Sequence, residues 1–258
     1  MDKIIGLGNA LIDVLATLKD DTLLDELGLP KGSMQLIDDA KLQQINTKFS
    51  QMKTHLATGG SAGNAILGLA CLGAGTGFIG KVGNDHYGDF FRKNLQNNNI
   101  EDNLLTSEQL PSGVASTFIS QDGERTFGTY LGAAASLKAE DLTLEMFKGY
   151  AYLFIEGYLV QDHEMILHAI ELAKEAGLQI CLDMASYNIV ENDLEFFSLL
   201  INKYVDIVFA NEEEAKAFTG EEPEEALRVI AKKCSIAIVK VGANGSYIRK
   251  GTEEIKVS

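Results

Sequence analysis

The string Thr58-Gly59-Gly60-Ser61-Ala62-Gly63-Asn64 combines bare backbone with one hydroxyl and one amide. Its inner part, Gly59-Gly60-Ser61-Ala62-Gly63, matches the G-x-S-x-G elbow that presents a nucleophilic serine between a strand and a helix. Such an elbow needs an acid and then a histidine later in the chain. Here His163 and His168 fall within one predicted helix, no histidine follows Asp183, His55 precedes the serine and His86 follows it too closely. A serine hydrolase using Ser61 is therefore the weaker alternative. The other chemistry is grip without attack, in which paired glycines let backbone approach a ligand while Ser61 and Asn64 offer hydrogen bonds. Close helix–sheet packing explains Gly63, Gly68 and Gly73 better than it explains the Gly59-Gly60 pair.

Other polar residues fall just beyond predicted strand ends, where open α/β sheets hold their ligands. Gly6-Leu7-Gly8-Asn9-Ala10-Leu11 begins like a dinucleotide fingerprint but lacks the third glycine, and the residues after it read as extended. Asn9 and Asp13 remain as an amide and a carboxylate able to chelate sugar hydroxyls; a turn asparagine and a solvated aspartate fit equally well. Gly75-Thr76-Gly77-Phe78-Ile79-Gly80-Lys81-Val82 nearly matches a phosphate loop, with Val82 where a hydroxyl belongs, and it reads as strand. Asn211 with Glu214 forms a capping box, which suffices structurally; the functional reading is a water-mediated hold on Mg²⁺. Lys240-Val241-Gly242-Ala243-Asn244-Gly245 reads as a hairpin turn whose amides are free to face phosphates.

These residues must be held by a framework. From about residue 150 short apolar runs alternate with amphipathic stretches: strands at Tyr152-Ile155, Gln179-Leu182, Asp206-Phe209 and Ile236-Lys240, helices at Asp162-Ala176, Asp193-Asn202, Glu212-Phe218 and Glu224-Lys233. That rhythm predicts an α/β fold with a mostly parallel sheet covered on both faces. Lys3-Gly8, His55-Thr58 and Thr76-Gly80 are expected to add strands to it, and Leu42, Ile45, Phe49 and Met52 to mark a helix capped by Asp38. Asp13-Leu18 with Gly32-Leu36, and the hairpin Gly113-Ser120 to Arg125-Tyr130, break the rhythm. They predict a small antiparallel sheet acting as a lid.

The 258 residues, 46% hydrophobic, suffice for a full core, and a net charge of −15 disfavours nucleic acid and anionic membrane as partners. Cys71, Cys181 and Cys234 lie far apart among apolar neighbours and read as buried reduced thiols. The start of the chain lacks a signal-peptide pattern and no run is long enough to span a bilayer, so a cytoplasmic protein is expected.

In this order the motifs resemble the ribokinase-like (PfkB) carbohydrate and nucleoside kinase family, and the adenosine-kinase branch most. The similarity runs from Gly6 to the last strand. It is most specific at Gly59-Gly60-Ser61…Asn64 and Gly80-Lys81-Val82-Gly83-Asn84-Asp85, with support from Gly8-Asn9…Asp13, Lys31-Gly32-Ser33-Met34, Gly123-Glu124-Arg125-Thr126, Asn211…Glu214 and Lys240-Val241-Gly242…Gly245. The resemblance implies a three-layer α/β/α fold over residues 1–258 as one domain, with lid elements at about 13–36 and 113–130. It implies that Asn9, Asp13, Gly59, Gly60, Ser61, Asn64 and Glu156 bind the hydroxyls of a sugar or nucleoside. Asn211 and Glu214 would organise Mg²⁺ through water, and Lys240, Gly242 and Gly245 would line an ATP site, for transfer of the γ-phosphoryl to a primary hydroxyl. A homodimer through the lid is a further expectation, and a non-catalytic sugar- or nucleoside-binding protein a further alternative.

The family's general base, an aspartate in a Gly-Ala-Gly-Asp motif, is expected soon after Glu254-Val257 and does not occur up to Ser258; Gly73-Ala74-Gly75 is followed by Thr76. A truncated kinase that phosphorylates little by itself is thus expected, with no catalytic base in these residues. Ribokinase-type members carry lysine where Ser61 stands, which leans the acceptor toward nucleosides or another sugar. Phe118, Phe127 and Tyr130 on the lid hairpin are candidates to stack on a nucleobase, or to pack the lid.

Overall fold

The computed structural model describes residues 2–258. Strand β1 (Ile4–Leu7) is apolar and almost wholly buried, and Gly8, Asn9 and Ala10 carry the chain straight into β2 (Leu11–Thr17) of another sheet. After α1 (Thr22–Leu27) and β3 (Met34–Leu36) comes α2 (Asp39–Phe49), whose N-cap Asp38 accepts the Lys41 amide at 2.8 Å and whose Leu42, Ile45 and Phe49 are buried. Then β4 (Thr54–Gly59) passes through Gly60 into α3 (Ser61–Cys71), followed by β5 (Thr76–Gly83), α4 (His86–Asn97) and β6 (Ile100–Ser107). The hairpin is β7 (Gly113–Ile119) with β8 (Arg125–Tyr130).

The second half keeps the predicted rhythm: β9 (Tyr152–Glu156), α5 (His163–Glu175), β10 (Gln179–Asp183), α6 (Tyr187–Asn192), α7 (Leu194–Lys203), β11 (Ile207–Asn211), α8 (Glu212–Thr219), α9 (Pro223–Ile230) and β12 (Ile236–Lys240). It closes with β13 (Ser246–Lys250) and β14 (Glu253–Val257), which pair antiparallel.

Nine strands form the main sheet in the order β14-β13-β12-β11-β10-β9-β1-β5-β6, parallel from β12 through β6. The chain adds β5 and β6 on one side of β1 and β9 to β12 on the other. The strand order therefore reverses at β1, and a crevice opens above the carboxyl ends of β1 and β9. Alternation along the strands sends Ile5, Leu7 and Ile79 into one core with α5, α7 and α9, and Phe78 into another with Ile66 of α3 and Phe91 of α4. Phe78 and Phe91 meet with centroids 5.5 Å apart.

The smaller sheet has the order β3-β8-β7-β2-β4 and differs from expectation in two ways. His55-Thr58 belongs to it and not to the main sheet, because β4 pairs antiparallel with β2. The sheet is also mixed, since β2 runs parallel to β7 and β3 parallel to β8. A short apolar run carries no label for its partner, and β4 is claimed by β2 because both flank the same crossing between sheets. Cys71 is exposed, against expectation, while Cys181 is buried and Cys234 half-buried. Burial pushes the Cys181 thiol up to about 12 and the Cys234 thiol up to about 11, so both stay protonated and inert. No helix among the described residues is long and apolar enough to cross a membrane.

Candidate active site

The two glycines of the opening motif are each required by geometry. A Cβ on Gly59 would strike the Asp13 carboxylate, and Gly60 sits at φ +85° with its α-carbon against the Asn9 carbonyl. Only glycine tolerates that combination. The packing explanation fails for the others: a Cβ at Gly63 would meet Phe91 Cζ at an ordinary 3.6 Å, Gly68 faces open space, and Gly73 is open too but needs its φ of +86°.

Ser61 starts α3 and is exposed, and it bonds to no histidine among the described residues. The left-handed residue in this turn is Gly60 and not the serine, so the strained nucleophile of an elbow is not formed. Asn64 lies one turn along the same side of α3, its amide donating to the Gly60 carbonyl at 3.0 Å.

Glu156, the last residue of β9, joins these pieces. Its Oε1 accepts from Asn9 Nδ2 at 2.8 Å and its Oε2 from the Ala62 amide at 3.0 Å, while the residue is only 2% exposed. Burial pushes its pKa up; the Ala62 and Asn9 donors oppose this and the nearby Asp183 charge reinforces it. Gly8 is glycine for the same reason, because a Cβ there would lie 2.8 Å from Glu156 Oε2 and 2.6 Å from Ala62 Cβ. Asp13 is half-buried and its carboxylate accepts no hydrogen bond from any described residue; burial raises its pKa and Arg125 opposes the shift.

Above this knot lies a cavity of about 420 Å³. Asn9, Gly60, Ser61 and Glu156 form its polar end, and Leu11, Leu36, Leu131, Leu159 and Ile189 much of its apolar wall. Asp13 and Gly59 adjoin the polar end, and Asn64 follows one helical turn away. Of the lid aromatics, Phe118 is fully buried against Phe49, centroids 5.0 Å apart, and is unavailable for stacking; Phe127 and Tyr130 are half-buried.

The phosphate candidates occupy the neighbouring strand ends. Period-two alternation puts Glu156, Asp183, Asn211 and Lys240 on one face, at the ends of β9, β10, β11 and β12. Asn211 caps α8: its Oδ1 accepts the Glu214 amide at 2.8 Å, while Glu214 Oε2 accepts the Asn211 amide and Oε1 accepts from Asn211 Nδ2, both at 2.7 Å. Glu214 is 2% exposed, and burial pushes its pKa up, with Asp183 adding to the shift and Lys240 opposing it. Lys240 Nζ donates to Asp183 Oδ2 at 3.0 Å, and Asp183 Oδ1 accepts the amide of Ala185, a non-glycine residue at φ +64°. Gly242 and Gly245 both have positive φ in the turn after β12, and Gly245 packs its α-carbon against the Val257 carbonyl. Lys81 is remote from this chemistry, bound to Asp141 at 2.7 Å.

Sequence reasoning passed over Asp183 and Tyr158. Asp183 stands in register with Glu156 at a strand end, and that shared position was the available signal. Tyr158, on the cavity wall, has its pKa raised by burial and by the carboxylates of Glu156, Glu214 and Asp183.

Comparison with known proteins agrees with this geometry. The chain is 26% identical over 264 residues to guanosine-inosine kinase of Escherichia coli (strain K12), a match covering 97% of this chain and 61% of that protein. The chain thus spans less than two thirds of that relative's length. A probable sugar kinase from Rhizobium etli CFN 42 superposes with a TM-score of 0.87 at 31% identity, covering 99% of this chain and 78% of the other. The adenosine kinase from Sinorhizobium meliloti superposes with a TM-score of 0.86, also at 31% identity, over 99% and 79%. The sequence pattern of the pfkB family carbohydrate kinases matches residues 32–258. With its glycine-floored crevice at the reversal of the strand order, the chain belongs to the pfkB carbohydrate kinase family.

Proposed function

We propose that these residues bind the acceptor and organise the phosphates in an ATP-dependent phosphotransferase that moves the γ-phosphoryl of ATP to a hydroxyl of a nucleoside. The observation that carries this reading is the cavity, polar at the Asn9–Ser61 end and beyond it lined mainly by apolar side chains, with Gln161, Asp162, Ser186 and Asn188 among them. A bare sugar would leave that wall unused; a nucleoside fills it, with ribose hydroxyls at Asn9, Asp13, Gly59, Gly60, Ser61 and Asn64 and the base among Leu11, Leu36, Leu131 and Ile189. The guanosine-inosine and adenosine kinases among the relatives support it. Sugar is the second reading, favoured by the Rhizobium etli relative.

Among the described residues no three carboxylate, imidazole or thiol side chains come together to hold a metal directly. Asn211 and Glu214 already bond to each other, so they would hold a magnesium ion only through water molecules and not as direct ligands. The nearby donors are all oxygens, and a cation would relieve the crowding of the Asp183 and Glu214 charges. Its chemistry there is neutralisation of phosphate charge. Lys240, Gly242 and Gly245 would face the nucleotide. The residues act as one domain in which the five-stranded sheet is a lid that excludes water from the acceptor. We place the protein in the cytoplasm as a homodimer paired through the lid, where Met34 and Leu36 of edge strand β3 are 45% and 64% exposed.

The test mixes the full-length protein with ATP, Mg²⁺ and guanosine, inosine, adenosine or ribose, and reads ADP release and calorimetric binding. Acceptor-dependent release with a nucleoside is expected. Release with ribose alone selects the sugar reading. No binding of any acceptor, with labelling of Ser61 by a serine-hydrolase probe, would overturn both.

A further inference from the structure

The family resemblance implies that Glu156 binds an acceptor hydroxyl directly, but both its oxygens already accept N–H groups from the protein and it is almost wholly enclosed. Asn9 presents a different picture. Its Nδ2 is committed to Glu156, whereas its Oδ1 receives no hydrogen bond from any described residue. That oxygen is still reachable, because the only enclosed side-chain polar atoms without a partner among the described residues are Thr76 Oγ1 and Ser116 Oγ. Asn9 lines the cavity. An amide is planar, so fixing its NH₂ on one side fixes its carbonyl on the other.

Resting on the reading of the cavity as an acceptor site, we propose that Glu156 is a positioning residue that does not touch the acceptor. Its carboxylate locks the Asn9 amide with Oδ1 toward the cavity, making Asn9 a pure hydrogen-bond acceptor for a sugar hydroxyl. The same carboxylate holds the Ala62 amide and so sets the N-terminus of α3, where Ser61 stands. Asn9 and Ala62 lie 147 and 94 residues away from Glu156 in the chain, so one carboxyl group keeps three separate segments in register.

A Glu156→Gln change leaves an oxygen for the Ala62 N–H but turns an NH₂ toward Asn9. The conflict is relieved when the Asn9 amide turns over, which puts N–H groups toward the cavity. The site then changes from one that requires a donor on the ligand to one that welcomes an acceptor. Adding Asn9→Asp restores the original polarity, since the new carboxylate accepts from the new amide and still shows an oxygen to the cavity. Net charge is unchanged in the double variant.

The experiment measures calorimetric affinity of the full-length protein for a nucleoside and for its 2′- and 3′-deoxyfluoro analogues, in which an O–H donor becomes a C–F acceptor. In the unaltered protein one analogue should bind about tenfold or more weakly, the effect of one lost hydrogen bond in a buried site. In Glu156→Gln that hydroxyl-to-fluorine ratio should fall toward one, and in Asn9→Asp/Glu156→Gln it should return. General loosening of the fold would weaken both ligands alike and leave the ratio unmoved. An unchanged ratio in the single variant overturns the proposal, as does a double variant that fails to recover it. If Glu156→Gln does not fold, the double variant decides alone: folding with the original ratio supports the assignment, and loss of binding overturns it. Failure of the unaltered protein to bind any nucleoside is a separate result, and it removes the nucleoside reading itself.

Discussion

Lys240 reaches across the whole width of β11 to Asp183, bringing Nζ of β12 within 3.0 Å of Oδ2 at the end of β10. Its charge, with the Asn211 amide, opposes the upward shift that burial gives Glu214, so it ties the acidic strand ends together electrostatically. The pair is partly solvated, with Lys240 47% and Asp183 14% exposed. Lys240→Met should therefore change unfolding free energy by no more than about 1 kcal/mol. In steady-state kinetics of the full-length protein it should raise KM for ATP roughly tenfold, the value of one charge-assisted hydrogen bond, with acceptor KM unchanged. An acceptor KM that moves instead would detach Lys240 from the nucleotide.

Gly60 and Gly63 should respond in opposite directions to alanine. Gly60→Ala combines a left-handed backbone with a collision at the Asn9 carbonyl and should cost roughly 2–5 kcal/mol in urea denaturation. Gly63→Ala meets Phe91 at ordinary contact distance within α3 and should gain about 0.5–1 kcal/mol.

Asp13→Asn should separate stability from binding. Burial penalises the Asp13 charge, and no described residue donates a hydrogen bond to it. The neutral variant should be as stable as the parent or up to about 1 kcal/mol more so. Calorimetric affinity for the acceptor should drop about 10- to 100-fold, because a charged hydrogen-bond acceptor is lost. In the parent, affinity should rise with pH as the Asp13 carboxyl ionises above the ordinary aspartate value of 3.8.

Glu214 gives a pH prediction with a definite sign. Its folded-state pKa lies above the ordinary glutamate value of 4.5, so the folded state holds that proton more tightly than the unfolded chain does. The associated stability is fully present below pH 4.5 and fades as pH rises through the higher folded value. Relative to the parent, Glu214→Gln should gain stability progressively above pH 4.5, on top of a constant loss from its weakened cap. Urea midpoints of the two proteins from pH 4 to 8 measure this, and parallel curves would contradict it.

Ser116 sits fully buried in β7 with its hydroxyl unpartnered among the described residues. Ser116→Ala removes an unsatisfied group and should stabilise the protein by about 1 kcal/mol in denaturant titration.

The regular half of the fold was legible because its signals were redundant. Each of β9, β10 and β11 is short, apolar and leads on to a helix, and the predicted bounds of strands β9 to β12 lie within one or two residues of those observed. The α8 capping box was readable because Asn211 and Glu214 are three residues apart. The partner of β4 was not, since pairing with β2 is decided by where the chain crosses between sheets. Helix α4 and strand β6 escaped because polar residues interrupt their apolar pattern, the strand reading Ile-Glu-Asp-Asn-Leu-Leu-Thr-Ser. Glu156 was found as a strand-end residue, but its commitments to Asn9 and Ala62 depend on tertiary proximity that no local pattern encodes. Asp183 was missed because a single aspartate closing a strand is ambiguous until its neighbour in the sheet is known.

The crossings between the two sheets have a mechanical meaning. Gly8, Asn9 and Ala10 lead out of the main sheet, and Gly59 with Gly60 leads back. Two of the four segments that join the sheets, and would flex if the small sheet swung, are thus the ones that floor the cavity. A pivot and a sensor share the same atoms. The Asn9–Glu156 bond ties the first of these crossings to the end of β9, so a ligand seated on Asn9 and Gly60 touches two of the points where the sheets are joined.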